Sequence, residues 1–448
     1  MPCHVADVQE ELRCGTYEVF ENRKTARGRT LPLKIVLIPA RSPHLNEAPV
    51  FYLSGGPGET TTEFAKDLLE STHRQDHDIV LVDSRGTGDG HRLYCRMPGS
   101  DDHLEGYLQT PFAPEIAQAC RRELEQRFDL SQYSTAATVD DLDDVRQALG
   151  YEKINLEGGS FGTYAALMYT RAHGEHVRSA YLASLVTVGN PIPLYHAQAA
   201  QWALDRLFEQ CEADAACHGA YPKLREDFST VLARLHQGPV RASIHHPLTG
   251  ARTEIGLTEK AFADAVRVMM YPGESGREVP FLIAQAKAGD FDVLAEAAVN
   301  ASRGFYAKAP MGLYYAVTCN EFTNRIRPED VEPATRGSYF GAWRVRDQMA
   351  SCQGWPKTIL PADYFKPFRS DVPVLLISGD TDPVSPPRWG EEVHSFLPNS
   401  VHRIVPGGHV PLSPCTDSIA GVMFRTGSTR RLDLGCVADL KSAPFKLP

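Results

Sequence analysis

The sequence predicts an α/β protein whose mostly parallel sheet is interrupted by a helical insertion. Three observations predict it. Short Val-, Ile- and Leu-rich runs alternate with helical patterns in two stretches, a long mostly helical segment lies between them, and a Gly-Ser-Gly turn sits where a strand gives way to a helix.

Leu33–Ile38, Val50–Leu53 and Ile79–Val82 are short, apolar and closed by Gly, Pro or Ser within a few residues, which reads as buried strands. Asp140–Leu149 places Leu142, Val145 and Leu149 at helical spacing and stops at Gly150. Ile154–Leu156 supplies the next strand and Val177–Leu185 another. Beyond Pro191 and Pro193 the pattern changes to helices such as Ala199–Cys211 and Leu257–Met270, continuing to Phe365. Pro373–Ile377 resumes the strand pattern, followed by Val401–Val405 and a last helix near Asp417–Phe424. The chain therefore divides into 1–190 and 366–448 as two parts of one core, with 191–365 inserted as a helical domain.

Composition bounds the function. At 448 residues a prior of about three domains applies, fewer where one is a large α/β unit. With 42% apolar and 23% charged residues the chain is globular, which excludes disorder and collagen. The net charge is −10 and no run of Lys and Arg forms a basic stripe, so nucleic acid is not an expected partner. No apolar stretch approaches the roughly 20 residues that span a bilayer, so no membrane is expected either. The chain opens Met1-Pro2-Cys3 with no charged-then-apolar leader, which reads as no export signal or one already removed.

Ten cysteines is an even count, and most are neighbours along the chain: Cys3 and Cys14, Cys95 and Cys120, Cys211 and Cys217, Cys319 and Cys352, Cys415 and Cys436. There is no C-x-x-C and no His at ligand spacing, so a disulfide framework fits better than zinc, with ten free thiols in a cytosolic enzyme as the alternative. An oxidising compartment, the periplasm or outside the cell, is the expectation. Nearest-neighbour pairing is one choice of connectivity, which sequence alone does not fix.

Gly158-Gly159-Ser160-Phe161-Gly162 carries the chemistry. Its glycines allow a sharp strand-to-helix turn that lifts Ser160 Oγ to where a base can reach it, and the helix start behind it stabilises developing negative charge. A serine nucleophile needs a base, and the base needs an orienting carboxylate. Asp380 and Asp382 compete for that carboxylate in the loop after Pro373–Ile377; Asp382 is chosen because Pro383 fixes the loop, leaving Asp380 as a turn former. His409 follows Gly407-Gly408 after Val401–Val405 and is preferred as base over His402, which lies inside the strand pattern. An oxyanion calls for backbone amides in a Gly-rich turn. Ser54-Gly55-Gly56-Pro57-Gly58 offers Gly56, to be partnered by the amide of Phe161. Neither this turn nor Gly86-Thr87-Gly88-Asp89-Gly90 has a nucleotide fingerprint, and no cofactor or metal is expected.

With these residues in place the chain resembles the α/β-hydrolase family of secreted serine aminopeptidases, which includes proline iminopeptidases and tripeptidyl aminopeptidases. The resemblance spans nearly the whole length. It rests on Cys14-Gly15 with Glu18 to Arg23, Gly55-Gly56-Pro57-Gly58, Asp83-Ser84-Arg85-Gly86-Thr87-Gly88, Gly159-Ser160-Phe161-Gly162-Thr163, Asp382-Pro383-Val384 and Gly408-His409. Cys319-Asn320-Glu321, Cys352-Gln353-Gly354-Trp355-Pro356 and the region of Cys415 and Cys436 favour the tripeptidyl branch. The resemblance implies an α/β-hydrolase core with a helical cap over the active site, supports the disulfides, and implies release of residues from a free peptide N-terminus.

The chain departs from the family pattern at Leu182-Ala183-Ser184, where Leu-Asp-Gly is common, and at Glu59 and Glu157, where small and apolar residues are usual. An α-ammonium calls for carboxylates in a partly desolvated pocket. Glu321 is the first candidate because the resemblance places an acidic residue there, with Glu157 and Glu59 as alternatives; each has a solvated or salt-bridged glutamate as its ordinary reading. Asp83 and Arg85 read as structural, tying their loop to the oxyanion turn. His73, His77, His245 and His246 read as solvated histidines. The expected function is a serine hydrolase acting on small peptides from the N-terminus, with a carboxylesterase of the same fold and an inactive hydrolase-like binding module as the rivals.

Overall fold

The structure is a computed structural model that describes residues 1–5, 7–42, 48–308 and 310–448. Strands β1 (Pro2–Cys3), β2 (Leu12–Phe20), β3 (Thr30–Ile38), β4 (Val50–Leu53), β5 (Ile79–Val82), β6 (Ile154–Gly159) and β7 (Val177–Ala183) precede the insertion. Strands β8 (Val240–His245) and β9 (Arg252–Leu257) lie within it, and β10 (Val374–Gly379) and β11 (Ser400–Val405) follow it. Among the described residues the main sheet runs β1-β2-β3-β5-β4-β6-β7-β10-β11. It is antiparallel from β1 to β5 and parallel from there to β11.

Every residue of β6 and β10 is buried, as apolar runs covered on both faces require. Leu156, 0% exposed in β6, belongs to a cluster with Leu53, Val80, Tyr164 and Leu182, and its truncation to Ala would cost roughly 2–5 kcal/mol. The chain leaves β4 for β5 on one side and returns to β6 on the other. The loops after β4 and β6 thus emerge side by side at a reversal of strand order, where open α/β sheets hold their ligands.

The insertion is built differently from the expected helical domain over 191–365. Its first part, around Ala203 to Val299, forms a second apolar core, joined by Leu104 and Tyr107 from before the insertion. That part also contains an antiparallel hairpin, β8 with β9, which the helical reading missed. The alternation of burial in Val240–His245 is the period-two pattern of a half-covered strand. The helix expected over Leu257–Met270 spans Glu259–Met269, because Leu257 closes β9 and Thr258 caps the helix by accepting the Ala261 N–H.

The helix Met311–Glu321 instead joins the main core. Gly312 permits this approach: a Cβ there would lie 2.5 Å from both the Leu93 carbonyl oxygen and Leu124 Cδ1. The helix predicted from Asp140 begins at Thr135, capped by Ser134. Strands β1 and β2 were not anticipated, since their mixed polarity suits an exposed edge. All ten cysteines are paired as nearest neighbours: Cys3–Cys14, Cys95–Cys120, Cys211–Cys217, Cys319–Cys352 and Cys415–Cys436.

Candidate active site

Ser160 stands between β6 and the helix Phe161–His173 at φ +55 and ψ −125, a backbone conformation that an L-residue adopts only when its surroundings enforce it. The enforcement is visible. The Ser160 N–H donates to the Ala183 carbonyl at 3.0 Å, and a Cβ at Gly162 would lie 2.1 Å from the Leu53 carbonyl oxygen. The first turn of the helix is therefore pressed against the end of β4, beside Ser54–Gly58. Gly56, at φ +105, and Phe161 line the same cavity as Ser160.

His409 reaches that cavity from the loop after β11. Its backbone N–H donates to the Tyr271 carbonyl at 2.7 Å, and its ring meets the Tyr271 ring edge-on at 5.0 Å. Its Nδ1 lies 3.0 and 2.9 Å from Asp382 Oδ1 and Oδ2. A carboxylate only accepts, so Nδ1 carries the proton and Nε2 of the neutral ring is left basic. Asp382 is fully buried, and three further donors satisfy it: the Val384 and Ser385 amides at 2.8 and 2.9 Å and Ser184 Oγ at 2.6 Å. Asp380 has other work, accepting the Gly407 amide and Gln210 Nε2 and so joining the β10 and β11 loops. His402 is engaged with Ser378 Oγ at 2.9 Å, and burial lowers its pKa to about 4.

The three carboxylates expected at a substrate ammonium are scattered, which corrects two of them. Glu321 does not line the cavity. It is fully buried at the last position of its helix, where Oε1 accepts the Thr135 N–H at 2.7 Å and Oε2 accepts from Tyr364 Oη at 3.4 Å. It thereby completes the N-terminus of the helix Thr135–Ala148. Burial raises its pKa to about 7, against the hydrogen bonds from Thr135, Tyr164 and Tyr364.

Glu157 is likewise absent from the cavity wall: its side chain leaves β6 toward Asp417 and His73, and burial, then Asp417, raise its pKa to about 8. Glu59 does line the cavity and accepts the Gly55 N–H at 3.0 Å, next to Ser160.

Other sequence readings also change. His73 and His77 are buried, not solvated; desolvation lowers His73 to about 3, so it faces Glu157 uncharged. His245 is the exposed histidine of the other pair, near Glu296, while His246 Nε2 lies 2.8 Å from the Asp101 carbonyl. Asp83 accepts from the Thr62 amide and hydroxyl, beyond the oxyanion turn, as a structural residue would. Arg85, fully buried, makes a bidentate pair with Asp141 and so ties its loop to the helix Thr135–Ala148, not to the oxyanion turn. Among the described residues, Asp143, His173 and His176 alone group at metal-ligand distances, but Arg146 and Tyr169 already donate to Asp143.

Sequence reasoning missed Ser184 as a partner of Asp382, although the departure at Leu182-Ala183-Ser184 marked the place. Tyr271, just past the end of the helix Glu259–Met269, left no signal on the cavity wall, nor did the charged residues Asp264, Arg267 and Arg344, which are ordinary members of amphipathic helices.

A family model described as the alpha/beta hydrolase fold matches residues 48–413. The tripeptidyl aminopeptidase of Streptomyces coelicolor is 23% identical over 437 residues, covering 88% of this chain and 77% of that protein. The serine protease Hip1 of Mycobacterium tuberculosis is 24% identical over 237 residues, covering 48% of this chain and 45% of that protein. Among solved structures, the proline iminopeptidase of Mycobacterium smegmatis superposes with a TM-score of 0.41 at 13% identity, covering 92% of this chain and 98% of that one.

Proposed function

The chain belongs to the alpha/beta hydrolase fold family and is a hydrolase, and from that premise we propose that it is a serine aminopeptidase releasing N-terminal residues or short peptides from small peptides. The observation that carries this reading is a serine held at φ +55 in the same cavity as a histidine whose Nδ1 is engaged by a buried aspartate.

In this mechanism Ser160 Oγ attacks the scissile carbonyl while His409 Nε2 takes its proton, and Asp382 holds the imidazolium that forms. The amides of Gly56 and Phe161 receive the oxyanion. The tetrahedral intermediate collapses as His409 returns the proton to the leaving amine, and water then hydrolyses the acyl-enzyme by the same route. The cavity of about 1210 Å³ exceeds the roughly 300–1,000 Å³ usual for small-molecule sites, which supports a short peptide over a single residue. The peptidase names of the relatives support the same class. Glu59, beside the serine, is the candidate for the substrate ammonium. The five disulfides support an oxidising compartment, and no helix among the described residues is long and apolar enough to cross a membrane.

The test is fluorophosphonate labelling together with a panel of aminoacyl and tripeptidyl amides, their N-acetylated forms and short acyl esters. Labelling of Ser160 with turnover of the free-amine amides is expected. Turnover of esters alone would make the protein a carboxylesterase, and absence of labelling an inactive binding scaffold.

A further inference from the structure

The insertion's wall of the cavity is rich in positive charge. Arg267 from the helix Glu259–Met269 and Arg344 from the helix Trp343–Ser351 both approach one oxygen, Asp264 Oδ1, at 3.6 and 3.2 Å. Two guanidinium groups thus share one carboxylate, and one positive charge is left over. Neither is solvated at leisure: the Arg267 side chain is 2% exposed and that of Arg344 13%. Arg267 Nη2 donates to Tyr271 Oη at 2.7 Å, while the Nε–H groups of both arginines are buried without a hydrogen-bond partner.

Aromatic rings hold both groups in place, Arg267 against Tyr271 at 5.1 Å and Arg344 against Phe112 at 4.9 Å. His196, on the same cavity, also has a buried Nδ1 without a partner, and burial, then Arg344, Arg267 and His409, keep it uncharged. The charge centre is one ring away from the candidate base, since Tyr271 also packs on His409. The remaining charged groups on the wall are accounted for elsewhere: Glu59 accepts from Gly55, and Lys260 lies over Trp343, in a neighbourhood with Glu115 and Asp347.

A buried cation short of acceptors is costly, and a planar guanidinium is best satisfied by a carboxylate, which offers two acceptor oxygens. We infer that Arg267 and Arg344 form a subsite for a carboxylate of the substrate, which rests on the peptidase reading for the identity of that substrate. Either an Asp or Glu side chain or the C-terminal carboxylate of a short peptide supplies this chemistry.

The experiment compares isosteric substrate pairs, Asp against Asn and Glu against Gln, and free-acid against C-amidated short peptides, in wild type and in Arg344→Gln. Arg344 is chosen because it is less buried than Arg267. The wild type is expected to prefer one anionic series at least about ten-fold in kcat/KM, and the preferred series identifies the source. Arg344→Gln should remove that preference through KM, with the neutral partner changed less than about two-fold and Ser160 labelling intact, and Arg344→Lys should restore part of it. Equal turnover of both members of every pair by wild type, or equal loss of both in the variant, overturns the subsite while leaving the peptidase reading standing.

Binding is read separately by the thermal shift from glutarate against its neutral diamide. A shift from glutarate only, abolished in Arg344→Gln, supports the subsite even if no peptide is cleaved. Where no peptide is cleaved, the absence of a shift with glutarate overturns it.

Discussion

Ser184 Oγ donates to Asp382 Oδ2 at 2.6 Å and accepts the Val410 N–H at 2.7 Å, so one hydroxyl pins both the carboxylate and the backbone beside His409. Ser184 does this from φ +61, where glycine would sit without strain. The hydroxyl offsets a backbone cost that a glycine would avoid.

Removing that hydroxyl should loosen the base without touching the nucleophile. Ser184→Ala and Ser184→Gly are both expected to lower kcat about ten-fold, near 1.4 kcal/mol, with KM little changed. The glycine variant should have the higher Tm of the two, because it relieves the positive φ. Wild-type kcat in both variants would show that the bond does not matter to the reaction.

If Ser160, His409 and Asp382 act as one unit, their losses do not multiply. Ser160→Ala should abolish fluorophosphonate labelling and cut turnover at least ~10³-fold, with His409→Ala nearly as severe and the double variant little worse. Losses that multiply in the double variant would refute the assignment.

Glu59 and Glu321 should separate cleanly. Glu59→Gln preserves an acceptor for the Gly55 amide but removes the charge, so kcat/KM for free-amine substrates is expected to fall on the order of 10²-fold while N-acetylated or ester substrates hardly change. Glu321→Ala leaves the Thr135 N–H without its acceptor, at about 1–3 kcal/mol, and should lower Tm while affecting both substrate classes alike. A selective effect of Glu321 on free amines would return it to the ammonium site.

Stability should fall as pH rises from the ordinary glutamate range to about pH 8, unopposed between about pH 6.5 and 8. Glu157 and Glu321 have folded pKa values raised from 4.5 to about 8 and about 7, so the folded state retains protons that the unfolded chain has already released. Their favourable share is complete below the unfolded value and disappears as pH rises through the folded one. The buried histidines His73 and His402, with folded values of about 3 and about 4, act in the opposite direction but only below the usual histidine range. Glu157→Gln should therefore flatten the fall of Tm from about pH 6.5 to 8, and an unchanged slope would mean that Glu157 is not the group responsible.

Much of the site was legible because its chemistry is local in sequence: Ser160 announces itself through its flanking glycines, and His409 and Asp382 through the loops that follow apolar runs. Glu321 was misplaced because sequence gives a residue's neighbours along the chain but not the distant segments that pack over it. On Met311–Glu321 the residues that line the cavity are Tyr314 and Thr318, and Glu321, a turn further on at the end of the same face, is covered by Thr135 and Tyr364. The β8–β9 hairpin was lost for a related reason, since its two short strands sit among helices whose longer patterns dominate the region. Arg267 and Arg344 could not be singled out, as an arginine on an amphipathic helix is ordinarily a solvated one.

The seating of Met311–Glu321 bears on how this protein can be cut and recombined. Phe322 packs on Tyr164 at a ring separation of 5.0 Å, and Glu321 closes the start of the helix Thr135–Ala148. Excising residues 191–365 to obtain a minimal catalytic unit would therefore open the interior of that unit and strip the end of one of its helices. A graft that exchanges only the segment between Asn190 and Met311 keeps that seating intact, and it replaces Arg267 of the cavity wall while Arg344 stays behind.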